Sequence, residues 1–105
     1  MTRKEVLRRY KIPAEILDEY EPQGQDYNES DIERISTIMT LNDIGFKKED
    51  IKVYMLLEQI GISTLKERLE ILEVKRSAIL DEMHKNEKQL ECLDYLRYKM
   101  KKTKE

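Results

Sequence analysis

The side chains best suited to nucleophilic or metal-binding chemistry in this sequence are His84 and Cys92, eight residues apart. A reactive thiolate needs a base or a second ligand within hydrogen-bonding reach. Residues eight apart on a helix lie near the same side, but at ~1.5 Å of rise per residue they stand about 12 Å apart. One chain cannot close that gap, and the sequence has a single His and a single Cys. His84 therefore reads as a solvated helix residue and Cys92 as a packing residue, with a redox or cross-dimer thiol as the sharper alternative. The carboxylates read as a charged helix surface. No catalytic constellation results, so no enzymatic activity, cofactor or metal site is expected.

Phosphate recognition is the other chemistry on offer, because charge is blocked along the chain. Residues 1–13 carry Arg3, Lys4, Arg8, Arg9 and Lys11 against Glu5. Residues 14–34 carry Glu15, Asp18, Glu19, Glu21, Asp26, Glu29, Asp31 and Glu33 against Arg34. The end turns basic again at Arg97, Lys99, Lys101, Lys102 and Lys104, which also suits a helix C-terminus. Net charge is 20 − 22 = −2, so no global field draws the chain to nucleic acid. The N-terminal cations either track phosphates or form a solvated face, and Lys47, Lys48 and Lys52 are positioned in sequence to add to them.

The elements that must hold these groups are helical. Three Gly and two Pro among 105 residues, with many Glu, Lys, Leu and Ile, favour helices over a sheet. Thr2 to Glu5 has the spacing of a capping box and starts a first helix over about 3–10, with Val6, Leu7 and Tyr10 inward. Pro13 suits the first turn of a second helix to about Glu21, with Ile16, Leu17 and Tyr20 inward. Two short helices and a tight turn make a helix-turn-helix candidate. The segment from Pro22 to Asp26 is a loop. Asn28 caps a third helix carrying Ile32, Ile35, Ile38, Met39 and Leu41, which Gly45 ends. A fourth runs from about Lys48 with Ile51, Tyr54, Met55 and Leu57, and Gly61 ends it.

Ser63 or Thr64 caps the last helix, which meets no Gly or Pro to about Lys102. Positions spaced 4-3-4-3 hold Leu65, Leu69, Leu72, Arg76, Ile79, Met83, Asn86, Leu90, Leu93, Arg97 and Met100, eight of the eleven apolar. A 3.5-residue repeat of five heptads is a coiled-coil seam. At ~1.5 Å per residue the helix is about 60 Å long, more than a small domain can cover, so a second helix is expected to pair with it. Asn86 costs stability in that seam and fixes register. The expected organisation is all-α: a small helix-turn-helix domain of about four helices over 1–61, then a coiled-coil dimerisation helix over 62–105. No signal peptide or membrane-spanning run is read, and the lone cysteine fits a cytoplasmic chain.

The stretch from Tyr27-Asn28-Glu29-Ser30-Asp31-Ile32-Glu33-Arg34-Ile35 through Ile38 and Leu41 to Ile44-Gly45-Phe46-Lys47-Lys48-Glu49-Asp50-Ile51-Lys52 resembles the MerR family of bacterial transcription regulators. That family has a Tyr, an Asp-Leu or Asp-Ile, helical apolar spacing, then a Gly-Phe turn before the next helix and a long dimerisation helix. In the stretch Ile12 to Glu21, Ile12, Leu17, Tyr20 and Glu21 keep the family's residue types. Glu15 and Asp18 stand where the family places Arg. Only Pro22 to Asp26 occupies the place of the family's Arg-rich wing, and the family's effector-binding segment and cysteine metal site have no counterpart before Glu105.

The resemblance implies a homodimer, antiparallel through the long helix, that binds double-stranded DNA with two helix-turn-helix heads. Arg3, Lys4, Arg8, Arg9, Lys11, Lys47 and Lys48 are the expected DNA contacts. Tyr20 and Tyr27 are either phosphate contacts, as their family counterparts are, or core residues of a small domain. Leu65, Leu69, Leu72, Ile79, Met83, Asn86, Leu90, Leu93 and Met100 are the expected dimer contacts. The reversed charges and short loop leave a second expectation open, a dimeric adaptor that docks its acidic second helix on a protein partner.

Overall fold

The computed structural model of the chain describes residues 1–20, 22 and 26–103. Those residues form five α-helices, α1 Arg3–Tyr10, α2 Ala14–Glu19, α3 Glu29–Ile44, α4 Lys48–Ile60 and α5 Leu65–Thr103, with a 3-10 turn Ile62–Thr64 before the last. The chain is all-α with a long C-terminal helix. It divides into two compact units, Met1–Ile62 and Ser63–Glu105.

In the first unit α3 is the central element, with α2 and α4 packed on it. Val6, Ile12, Leu17, Tyr27 and Ile35 form the buried core, with Leu7, Ile16, Tyr20, Ile32 and Met39 packed against it. These positions come from α1, the turn after it, α2, the segment before α3 and α3 itself, so the small core closes only when α1, α2 and α3 meet. Full burial of one Leu or Ile side chain contributes ~1.5–3 kcal/mol. Tyr10, expected inward, is exposed at the end of α1.

The helix ends show how local chemistry sets the path. Thr2 caps α1, its hydroxyl oxygen accepting from the Glu5 N–H at 3.3 Å. The hydroxyl itself donates to the Glu5 carboxylate, so only half of the expected capping box forms. Lys11 ends α1 in the left-handed conformation, φ 53°, a position that usually takes Gly. Pro13 sits one place earlier than expected, as the cap residue of α2, where its carbonyl accepts from the Ile16 N–H at 3.1 Å. The second helix is shorter than its apolar pattern suggests and ends at Glu19, because Tyr20 turns extended.

The expected loop Pro22 to Asp26, and with it the absence of a wing, lies largely outside the described residues, as do Glu21 and Lys104. Asn28 and Asp31 form a full capping box at the start of α3. Gly45 ends α3 at φ 104°, and the Phe46 N–H donates back to the Leu41 carbonyl at 3.1 Å. Ser63 and Thr64 belong to the 3-10 turn that runs into α5 rather than to a separate cap. The Thr64 hydroxyl oxygen accepts from Arg68 Nε at 3.1 Å.

In the second unit α5 is a continuous helix of 39 residues, about 58 Å at ~1.5 Å per residue. Leu65, Leu69, Ile79, Met83, Leu90, Leu93 and Met100 are between 41% and 74% exposed. Leu72 is half-buried and Asn86 exposed. Among the described residues no helix is long and apolar enough to cross a membrane.

Candidate nucleic-acid interface

The α1 helix divides its residues by the 100° step between neighbours. Val6 is fully buried, and Lys4 and Arg8 lie two residues to either side, on the outer face of the helix. Lys11, exposed at the left-handed turn, continues that face. Arg3 and Arg9 flank it. The Arg9 guanidinium stands 5.8 Å from the centre of the Tyr10 ring, a cation–π contact on the surface. Among the described residues Lys4, Arg8, Arg9 and Lys11 make no ion pair.

Two other expected DNA contacts are already engaged. Arg3 binds the Asp18 carboxylate, and the Lys48 ammonium lies 2.5 Å from a Glu19 carboxylate oxygen. Lys48 is held protonated above its ordinary range, first by that hydrogen bond and then by the Glu19 charge. All four side chains are well exposed, so water screens these pairs and each adds little stability. Their larger effect is on the field: cations from α1 and α4 neutralise two of the three carboxylates on α2. Lys47 is exposed at the N-cap of α4 and makes no side-chain capping bond. Glu49 and Asp50 follow it in the first turn.

Tyr20 and Tyr27 act in the core. Tyr27 is buried, and its backbone N–H donates to the Met1 carbonyl at 2.8 Å. The two rings stack with centroids 6.4 Å apart. The Tyr20 hydroxyl donates to Asp31 Oδ1 at 2.8 Å. Burial first, and then the bond to Asp31, raise the Tyr20 pKa above the ordinary phenol value. The Tyr20 hydroxyl is thus engaged within the unit, and the Tyr27 ring is buried in its core.

Asp31 is the polar residue whose importance the sequence pattern conceals. It is 1% exposed. Its second oxygen accepts from the Asn28 N–H at 2.9 Å, while its own N–H donates to Asn28 Oδ1 at 2.8 Å. It therefore caps α3 and anchors the end of α2 through Tyr20. The signal available in sequence was the Asn28-x-x-Asp31 spacing; that Tyr20 converges on the same carboxylate was not.

A groove of about 340 Å³ opens between α2, α3 and α4. Ile16, Ile38, Ile51 and Met55 line it together with the charged Glu15 and Lys52. On α5, Cys92 is exposed and His84 Nδ1 lies 3.9 Å from a Glu87 oxygen. Compared with protein-family models, curated proteins and solved structures, the chain finds no match in any of the three.

Proposed function

We propose that this chain is a MerR-like DNA-binding transcription regulator that acts as a homodimer through α5. The observation that supports it is the outer face of α1. Lys4, Arg8, Arg9 and Lys11 are exposed and, among the described residues, without ion-pair partners, on the helix that precedes α2 and the turn that ends it. Exposed, unpaired cations release counterions from a duplex when they neutralise phosphates, and that release supplies most non-specific affinity. The α2 carboxylates oppose it, but Asp18 and Glu19 are partnered by Arg3 and Lys48. In this reading α1 supplies the affinity, and base reading from the acidic α2 is weak.

A mobility-shift titration against genomic fragments at low and at ~0.15 M salt tests it. Binding that weakens with salt, and loses about one unit of salt slope in Arg8→Ala, is expected. Absence of retardation at both salt concentrations would overturn the proposal.

A second reading, a dimeric adaptor that docks α2 on a basic protein surface, draws support from the groove beside Glu15 and Glu19. Glu15→Arg with Asp18→Arg separates the two. In the adaptor reading the pair of changes abolishes capture of a protein partner and creates no DNA affinity; recovery of only the chain itself counts against it.

A further inference from the structure

We infer that two copies of α5 pair antiparallel in one register, with Arg76 facing the partner's Asn86. The inference rests on the homodimer reading above and specifies its geometry.

The seam has polar residues at three places, Arg76, Asn86 and Arg97. In a parallel, in-register dimer every seam residue meets its own copy. Arg76 would then face the partner's Arg76, and Arg97 the partner's Arg97, two like-charged layers inside an apolar seam. In an antiparallel pair each seam position that begins a three-residue step packs against one that ends such a step, so residue numbers in one layer have a constant sum. When that sum is 162, Leu69 meets the partner's Leu93, Leu72 meets Leu90 of the partner subunit, and Ile79 meets the partner's Met83. Arg76 meets the partner's Asn86, whose side-chain oxygen accepts from the guanidinium. Arg97 meets the partner's Leu65 near the end of the overlap, where a long side chain reaches solvent. Arg97 also has its own carboxylate, Asp94, at 3.2 Å.

Slipping one heptad either way breaks this matching. In one direction Arg76 faces the partner's Ile79, Asn86 faces the partner's Leu69, and Leu93 is left uncovered. In the other, Arg76 faces the partner's Leu93, Asn86 faces the partner's Met83, and Arg97 enters the middle of the seam against the partner's Leu72. Both slips bury polar groups opposite apolar ones, twice each by symmetry.

The flanking charges lean the other way. The matched register opposes Glu73 to the partner's Glu87 and Glu82 to the partner's Glu82, with Lys66 and the partner's Asp94 as the favourable pair. The first slip would pair Lys66 with the partner's Glu87 and Lys75 with the partner's Glu82. Exposed pairs of this kind are weak and screened, whereas a buried group stripped of its hydrogen bond bears its whole desolvation cost. The polar layer decides the register.

Spin labels on Cys92→Ser chains carrying Val74→Cys, Asp81→Cys or Lys88→Cys, one at a time, test this by dipolar distance. These three positions recur every seven residues on the side of α5 away from the seam. The axial offset between the two copies is twice the distance from residue 81, so it is near zero at 81 and about 21 Å at both 74 and 88, at ~1.5 Å per residue. The expected result is one shared distance at 74 and 88 and a shorter one at 81. A one-heptad slip makes 74 and 88 unequal, with offsets near 10 and 31 Å; a parallel pair gives one distance at all three. Either outcome overturns the register while leaving the homodimer. A monomeric mass with no dipolar signal overturns both. Arg76→Leu with Asn86→Leu keeps the dimer and broadens the distances into several registers; a single unchanged register in that variant would also refute the inference.

Discussion

Replacing Asp31 with Ala removes the acceptor of two hydrogen bonds at once, from the Tyr20 hydroxyl and from the Asn28 N–H. Hydrogen bonds to a charged, buried group contribute ~1.5–3 kcal/mol each, and a donor left buried without a partner adds its desolvation cost. The two bonds together amount to about 3–6 kcal/mol. A unit the size of Met1–Ile62 has, at ~0.05–0.15 kcal/mol per residue, only about 3–9 kcal/mol in total. Asp31→Ala should therefore leave the head marginal or unfolded. Asp31→Asn keeps the shape but can accept through one oxygen only, so about half of that loss is expected. Tyr20→Phe alone should cost about 1–2 kcal/mol, and almost nothing further in the Asp31→Ala background, because the two side chains share one bond. Urea unfolding followed by the near-ultraviolet tyrosine signal, at one fixed chain concentration, reads all four. A loss below 1 kcal/mol for Asp31→Ala, or additive effects of the two changes, would refute the reasoning.

Three further outcomes follow from the backbone and the ionisable groups. Lys11→Gly should raise thermal stability by about 0.5–1 kcal/mol, since Gly occupies the left-handed turn at φ 53° without the Cβ penalty. Gly61→Ala should lower stability by about 1–3 kcal/mol in a thermal melt, because φ 114° with ψ −158° strains any L-residue even though a Cβ there meets nothing within 4 Å. The raised pKa of Tyr20 means that its contribution to stability is fully present below the ordinary phenol value of 10.0 and is lost as pH climbs from there through the raised value. An alkaline unfolding series should show that loss in the parent chain, with a smaller dependence in Tyr20→Phe.

The sequence by itself determined the parts whose cause is local. Apolar spacing placed α3, α4 and α5, and Asn28, Gly45 and Gly61 marked ends because capping and left-handed turns depend on the residue at that point. The continuous long helix from Leu65 to Thr103 was legible for the same reason: an uninterrupted helical periodicity is carried in the segment itself. Where α2 stops was not legible, since Tyr20 leaves the helix to reach Asp31, a residue 11 positions away. Nor was the role of the charges. Arg3 and Lys48 read as phosphate contacts in sequence, and only the packing of α1, α2 and α4 brought Asp18 and Glu19 to them. The burial of Tyr27 and the packing of Tyr20 against the core likewise depend on how the rings are placed by the folded unit. Periodicity and caps act over a few residues; charge partners and burial are set by segments distant in the chain that meet only when the core closes.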